Sequence, residues 1–441
     1  MEYSNNVSEK GWLRKIKRGS FMRKWPMWLQ IFVGMILAVI VGLLFLAAGI
    51  GSGNWLYSIV DFVSQAFIRL INMLVVPLIF TSLIVGVAGL KDPLKLGSIG
   101  WKTVVYFLST TLIAVFIGLI LVNLIHPGTG FKIPGGVTAP KPNSFTSIKD
   151  TFLQMIPTNP IQALTNVSIL QIIFFAIFVG IAIVFLGEKG KPAYAFFESF
   201  FEIMMKITGW IMALAPYGVF ALIVKTIADN GTTVFAPLAK YMFVVVLGLL
   251  VHFALVYMPV VKTLGKMSPK TFLKGVAPAW LVAFSTASSN ATLPVSMDSV
   301  EKNLGVSNRV SSFILPLGAT VNMDGTALYE GVAALFIAQA FGIHLGIGQQ
   351  IVILITAALA AIGAAGIPGA GLITMVLVLK AVNLPVEGIG LVLAVDRILD
   401  MCRTSINVLG DCTATVVIGR IEGEISDPST DLGPELAEPS A

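Results

Sequence analysis

Histidine, cysteine and charge are all scarce in this chain. Three histidines, His126, His252 and His344, are scattered through 441 residues. They have none of the spacing of a zinc site, and each reads as a structural or loop residue. The two cysteines, Cys402 and Cys412, are ten positions apart. On one helix that is roughly 15 Å along the axis, too far to pair within it, so they say nothing about redox compartment. Charged residues make up only 12% of the chain, against about a quarter in soluble globular domains. That excludes a soluble fold. Around Ser288 there is no G-x-S-x-G turn and no neighbouring histidine, which excludes a serine hydrolase.

What is abundant is apolar. Hydrophobic residues are 56% of the chain, in runs such as "MWLQIFVGMILAVIVGLLFLAAGI" and "YMFVVVLGLLVHFALVYMPVV". Such lengths suit a bilayer crossing, so the chain is expected to be an all-α polytopic membrane protein. The net charge of +6 comes from Lys and Arg in the loops between spans and points to no nucleic-acid partner. Lys10, Arg14, Lys15, Lys17, Arg18, Arg23 and Lys24 precede the first span, which puts the N-terminus in the cytoplasm by the positive-inside tendency. The run after them is too long for a signal peptide and has no small-residue cleavage site.

The same charge bias organises the remainder. Residues 1–26 are the basic N-terminus, 27–90 hold spans one and two, and 101–125 span three. A Pro/Gly-rich outer loop and spans four and five fill 126–225, and span six covers 235–265. Beyond Lys274 two apolar stretches are interrupted at their middles, at Ser288-Ser289-Asn290 and at Gly363–Gly371. Non-helical backbone at membrane depth is tolerated only inside protein or beside a wet cavity. Paired broken segments of this kind mark transporter binding sites. Residues 269–299 and 347–382 are therefore expected to be re-entrant hairpins, with span seven at 306–343 and span eight at 385–420. The acidic residues 421–441 read as a disordered cytoplasmic tail.

Span eight carries "DRILDMCRTSINVLGD". An ionisable group at bilayer depth is costly and is a functional-site hypothesis by default. At about 100° per residue, with Asp400 at zero, Asn407 falls near −20°, Asp411 near +20°, Asp396 near −40°, Thr404 near +40° and Arg403 near −60°. Arg397, near about +60°, is marginal. One face of this helix looks into something polar. Arg403 offers a planar fork for a carboxylate, and Asp400 a counter-charge for an ammonium, a match for an acidic amino acid. An internal Asp400–Arg403 pair at i,i+3 is equally open on spacing alone. A second polar island, "GATVNMDGTALYEG", interrupts span seven. Unwound carbonyls together with Asp324 and Asp411 suit a hard cation.

At these residues the chain resembles the glutamate transporter family of sodium-coupled dicarboxylate and amino-acid symporters. The matching motifs are "VVYFLSTT" in span three, "SSNATLP" in the first hairpin, "NMDGTALYEG" in span seven, "GAAGIPGAG" in the second hairpin and "DMCRTSINVLGD" in span eight. The resemblance implies eight spans plus two hairpins, a homotrimer in the plasma membrane with both termini cytoplasmic, and an elevator mechanism. Spans one, two, four and five would be the scaffold; spans three and six to eight, with both hairpins, would be the transport domain. It further implies that Arg403 and Thr326 hold the substrate side-chain carboxylate. Asp400, Thr404 and the Ile367 backbone would hold the ammonium, Asn407 and the Ser289 backbone the α-carboxylate, and Ser288 would also belong to the substrate site. About three sodium sites are implied: Asp411 with Gly318, Asn322 and Asn407; Thr110 and Thr111 with Asn322 and Asp324; and Thr320, Met323, Ala361, Ile362 and Ala364. Gly363, Gly366, Pro368 and Gly369 would belong to the gate, and no organic cofactor is expected.

Departures from the family pattern are specific. A second arginine common near the site is absent, its two usual places being Ala287 and Met401, and the third hairpin serine is Asn290. Glu330 matches the position that resembles the proton carrier of the animal excitatory transporters, where sodium-only archaeal relatives have glutamine. A carboxyl buried at membrane depth is costly as a charge and can carry a proton instead; potassium countertransport would follow. Four-carbon dicarboxylates or neutral amino acids are the alternative substrates, and a passive chloride conductance is compatible with transport. An intramembrane aspartyl protease would need two facing aspartates, but its GxGD context is missing.

Overall fold

The structure is a computed structural model that describes residues 27–88, 97–129, 153, 156–362 and 369–426. The expected basic N-terminus, most of the outer loop after span three, the gate segment 363–368 and residues 427–441 lie outside the described residues.

The long apolar runs form helices because a helix satisfies all its backbone groups within itself, as a lipid environment demands. In chain order these are α1 (Met27–Ala47), α2 (Trp55–Ala88), α3 (Gly97–Ile125), the short α4 (Pro160–Thr165), α5 (Ile169–Leu186), α6 (Lys191–Ala213), α7 (Ala215–Asn230), α8 (Phe235–His252), α9 (Met258–Thr263), α10 (Pro269–Thr286), α11 (Ser289–Asp298), α12 (Asn308–Val321), α13 (Asp324–Ala340), α14 (Ile347–Ile362), α15 (Ala370–Ala381) and α16 (Ile389–Glu422). Among the described residues, Trp55–Ala88, Ile99–Ile125, Gln171–Ile211 and Gly231–Thr263 are long and apolar enough to cross a bilayer.

Two groups of helices emerge from what packs on what. In the first, α2 lies against α5, α6 and α7, and α1 against α7. Gly218 of α7 sits so close to the Phe67 ring of α2 that a Cβ would overlap it. Two polar pairs join α2 to α7, offsetting the cost of charge at membrane depth: Lys225 with Asp61, and the Tyr57 hydroxyl donating to Asp229 Oδ1 at 2.7 Å. In the second group α16 is the hub, touching α3, α8 and α10 to α13. The groups meet where α7 packs on α16 and where α15 packs on α2 and α5.

Each interrupted stretch is a pair of helices packed on one another, α10 on α11 and α14 on α15. The first pair turns at Ala287, in the left-handed region at φ 51°, and α11 restarts with the Ser288 hydroxyl accepting from the Ala291 N–H at 3.2 Å. That is ordinary N-capping. Gly369, with φ 80°, caps the start of α15, where a left-handed backbone favours glycine.

One boundary differs from the sequence expectation. On sequence, span eight ends at 420 and 421–441 is tail. Instead α16 continues to Glu422, Gly423 turns the chain at φ 72°, and Ile425 bridges to Val306. Ser307 N–H donates to Glu424 O and Ser426 N–H to Gly305 O, each at 2.9 Å. Lys102 also pairs with Glu422 at 2.7 Å. Residues 421–426 are thus tied to the body by main-chain bonds that composition does not reveal.

Candidate functional site

The face computed from the span-eight spacing is buried along its whole length. Asp396, Asp400, Arg403, Thr404, Asn407 and Asp411 are all buried, and Arg397 is 8% exposed. Arg403 is wholly enclosed. Its Nη1 donates to Asp396 Oδ1 at 3.0 Å and its Nη2 to Asp400 Oδ1 at 2.8 Å. The guanidinium also lies 3.7 Å from the centroid of the Tyr329 ring, a cation–π contact strengthened by burial. Arg403 Nε has no partner among the described residues. Of the two possibilities open on spacing, the structure has the internal ion pair, extended to a third member, Asp396.

Asp400 also reaches the second helix pair. Its Oδ2 accepts from the Gly369 N–H at 3.0 Å and, at 3.4 Å, from Arg397 Nη1. Gly371, two residues further on, is so close that a Cβ there would meet Thr326 Cγ2 and the Arg403 guanidinium. Asn407 Nδ2 donates to Thr326 Oγ1 at 3.2 Å, and Asn407 Oδ1 accepts from the Gly325 N–H at 2.8 Å. The structure thus brings Thr326, Asp400, Arg403 and Asn407 together with Gly369. Ser288 and Ser289 are buried at the α10–α11 turn. Ile367, Gly363, Gly366 and Pro368 lie outside the described residues.

Around the break between α12 and α13 a second cluster forms. Asn322 ends α12 in an extended conformation, and Met323 precedes α13 with φ −120° and ψ 45°. Departure from helix frees carbonyls that an ion can use. Asn322 Nδ2 donates to Asp411 Oδ1 at 2.8 Å and to Asn407 O at 3.1 Å, leaving Asn322 Oδ1 without a partner among the described residues. Gly318 lies so near the Asp411 carboxylate that a Cβ would collide with it. Asp324 accepts from Thr111 Oγ1 at 2.5 Å and from the Tyr257 hydroxyl at 2.7 Å. Thr110 is buried but donates to its own helix, at Phe107 O. Of the remaining expected ion ligands, Met323 and Ala361 are buried, whereas Thr320 is exposed and donates to Leu317 O at 3.0 Å. Ile362 closes α14, and Ala364 lies outside the described residues.

Glu330 is fully buried. Its Oε1 accepts from the Thr374 hydroxyl of α15, and its Oε2 has no partner among the described residues. Two neighbours of Asp324 were missed from sequence. His252, expected to be merely structural, is wholly buried with Nε2 3.1 Å from Asp324 Oδ2. Tyr257 comes from the same region, where a π-turn, Phe253–Tyr257, follows α8. The signal was present: a histidine inside an apolar spanning run falls under the rule that flagged Asp400.

Comparison with known proteins follows the same lines. Residues 27–421 match the model of the sodium:dicarboxylate symporter family. A proton/sodium-glutamate symport protein of Geobacillus stearothermophilus is 37% identical over 415 residues, covering 92% of this chain and 97% of that protein. The proton/glutamate-aspartate symporter of Escherichia coli strain K12 is 36% identical, over 89% and 92%. Excitatory amino acid transporter 2 of Rattus norvegicus is 39% identical, over 87% and 76%.

Proposed function

The chain belongs to the sodium:dicarboxylate symporter family, and from that premise we propose that it carries acidic amino acids, aspartate or glutamate, across the plasma membrane on the sodium gradient. The observation that carries this substrate class is Arg403, a fully buried guanidinium that shares one helix face with Asp400, Asn407 and Asp411. A buried arginine fork beside a carboxylate suits a guest with both a side-chain carboxylate and an ammonium.

In this proposal the side-chain carboxylate goes to Arg403 beside Thr326, and the ammonium to Asp400 with Thr404 and the Ile367 backbone. The α-carboxylate goes to Asn407 and the Ser289 backbone, with Ser288 in the same substrate site. Sodium is co-transported at three places: at Asp411 with Gly318, Asn322 and Asn407; at Asp324 with Thr110, Thr111 and Asn322; and at carbonyls of Thr320, Met323, Ala361, Ile362 and Ala364. Glu330 carries a proton, and potassium returns in exchange. Gly363, Gly366, Pro368 and Gly369 belong to the gate.

The helix grouping supports an elevator. The group built on α16 would move against the group of α1, α2, α5, α6 and α7. Here α15 lies on α2 and α5, while α10 exposes Trp280, Leu281 and Phe284; the opposite arrangement would exchange those contacts. A homotrimer would cover part of the apolar stripe of α6, where Phe196, Phe200, Ile203 and Trp210 are exposed.

Uptake into proteoliposomes with and without a sodium gradient tests the proposal, using labelled aspartate, glutamate, succinate and serine. Aspartate and glutamate should accumulate only with sodium. Sodium-independent uptake, or succinate taken up in preference to both, would overturn it.

A further inference from the structure

We infer that the cleft between α1, α7, α8 and α16 is a binding site for one acyl chain of a membrane lipid, and that a chain seated there ties the two helix groups together. The cleft has a volume of about 420 Å³, within the range of small-ligand sites. Met35 and Val39 of α1 and Ile227 of α7 form one wall; Leu238 and Met242 of α8 and Val395 of α16 form the other. Thr226 is the single polar residue in its lining. An apolar cavity of this kind stays dry and takes apolar guests.

Position selects the guest. α1 is 21 residues long, roughly 30 Å, the thickness of a bilayer's hydrocarbon core. Met35 and Val39 stand at its middle, so the cleft lies at the depth where lipid tails, not headgroups or water, are available. Its rim is continuous with the outer apolar face: Ile36 lines the cleft and is half exposed, as are Leu37 and Ile40 beside it. The two walls belong to different helix groups, since α1 packs on α7 while α8 packs on α3, α13 and α16. A ligand held by both walls favours the arrangement in which both are present, by its differential affinity for that arrangement.

The test uses the full chain in vesicles containing phosphatidylcholine with a mid-chain diazirine, with adducts mapped by mass spectrometry after irradiation. Adducts at Met35, Val39 and Met242 should exceed those at Leu44, which is 60% exposed on α1. Ala239 lies in the lining of the cleft on α8, and Ala239→Trp, which fills the cleft, should lower the cleft adducts about tenfold and leave those at Leu44 unchanged. If that variant does not give monodisperse protein, Val39→Phe fills the cleft from the opposite wall. Cleft adducts no denser than at Leu44, or undiminished in the filled variant, would overturn the site. Labelling reads binding whether or not the chain transports acidic amino acids. The tie between the groups rests on the transport proposal: irradiation should reduce sodium-driven uptake in the native chain and spare the filled variant. Equal loss in both would overturn the tie while leaving the site.

Discussion

Replacing Arg403 is the sharpest test of the site, provided the charge left behind is controlled. Asp396 and Asp400 share two guanidiniums, Arg403 and Arg397, so the cluster is balanced at two against two. Arg403→Ala alone leaves two carboxylates facing one cation inside the protein. Breaking a buried ion pair this way costs about 3–5 kcal/mol of stability, enough to mimic a functional loss by unfolding. Asp396→Asn combined with Arg403→Ala restores the balance, one against one. If Arg403 receives the side-chain carboxylate, the double variant should lose the roughly 2–5 kcal/mol found on truncating a buried charge partner. That is about thirty- to several-thousand-fold in aspartate affinity. Serine has no side-chain carboxylate and should be spared. The assay is uptake of both amino acids by protein shown to be monodisperse. Undiminished aspartate uptake would refute the assignment, and a parallel fall for serine would make Arg403 a structural residue.

Four further outcomes are expected. Asp411→Asn removes the carboxylate bonded to Asn322 and should shift the sodium titration to higher concentration; an unchanged titration counts against the ion site. Glu330→Gln keeps an acceptor for Thr374 but has no carboxyl proton to exchange, so transport should lose its pH dependence, and an unaltered pH profile would dismiss proton coupling. His252→Ala withdraws a contact from Asp324, and since a hydrogen bond to a charged group is worth about 1.5–3 kcal/mol, the sodium requirement should rise; a normal requirement would make the histidine packing only. Gly318→Ala puts a methyl against Asp411, and overpacking of this kind costs about 1–3 kcal/mol, so the melting temperature should fall; an unchanged one would mean the carboxylate moves freely.

How much was legible depended on whether the signal was local. The polar face of span eight follows from helical periodicity alone, and Asp396, Asp400, Arg403, Thr404, Asn407 and Asp411 are buried together as that spacing requires. The break at Asn322 was legible because glycine, asparagine and aspartate interrupt an apolar run. The partners of these groups were not legible. Whether Arg403 bonds Asp396, Asp400 or both depends on side-chain rotamers and on what encloses the helix, which spacing does not encode. His252 and Tyr257 reach Asp324 from 72 and 67 positions away, through a π-turn that has no sequence signature. The end of α16 was missed for a similar reason: Gly423 allows the chain to turn back and pair Ile425 with Val306.

The internal pairing of Arg403 changes what guest binding has to accomplish. If Arg403 receives the side-chain carboxylate of the substrate, that group would not meet a free guanidinium but would exchange with Asp396 or Asp400 for the same donors. The net gain is therefore the difference between two charge-assisted sets of bonds, much smaller than either set alone. Discrimination can still be large. A guest that displaces Asp400 from Arg403 leaves a buried carboxylate in need of a cation, and an ammonium on the same guest supplies it. Succinate brings the carboxylate without the ammonium and leaves Asp400 short of a partner, at the cost of an uncompensated buried charge. Because Asp400 also holds the Gly369 N–H, its change of partner would be felt at the start of α15, beside the segment 363–368. Recognition of the ammonium and movement of the second helix pair would then share one carboxylate, which makes Asp400→Asn the substitution that should impair selectivity and closure together.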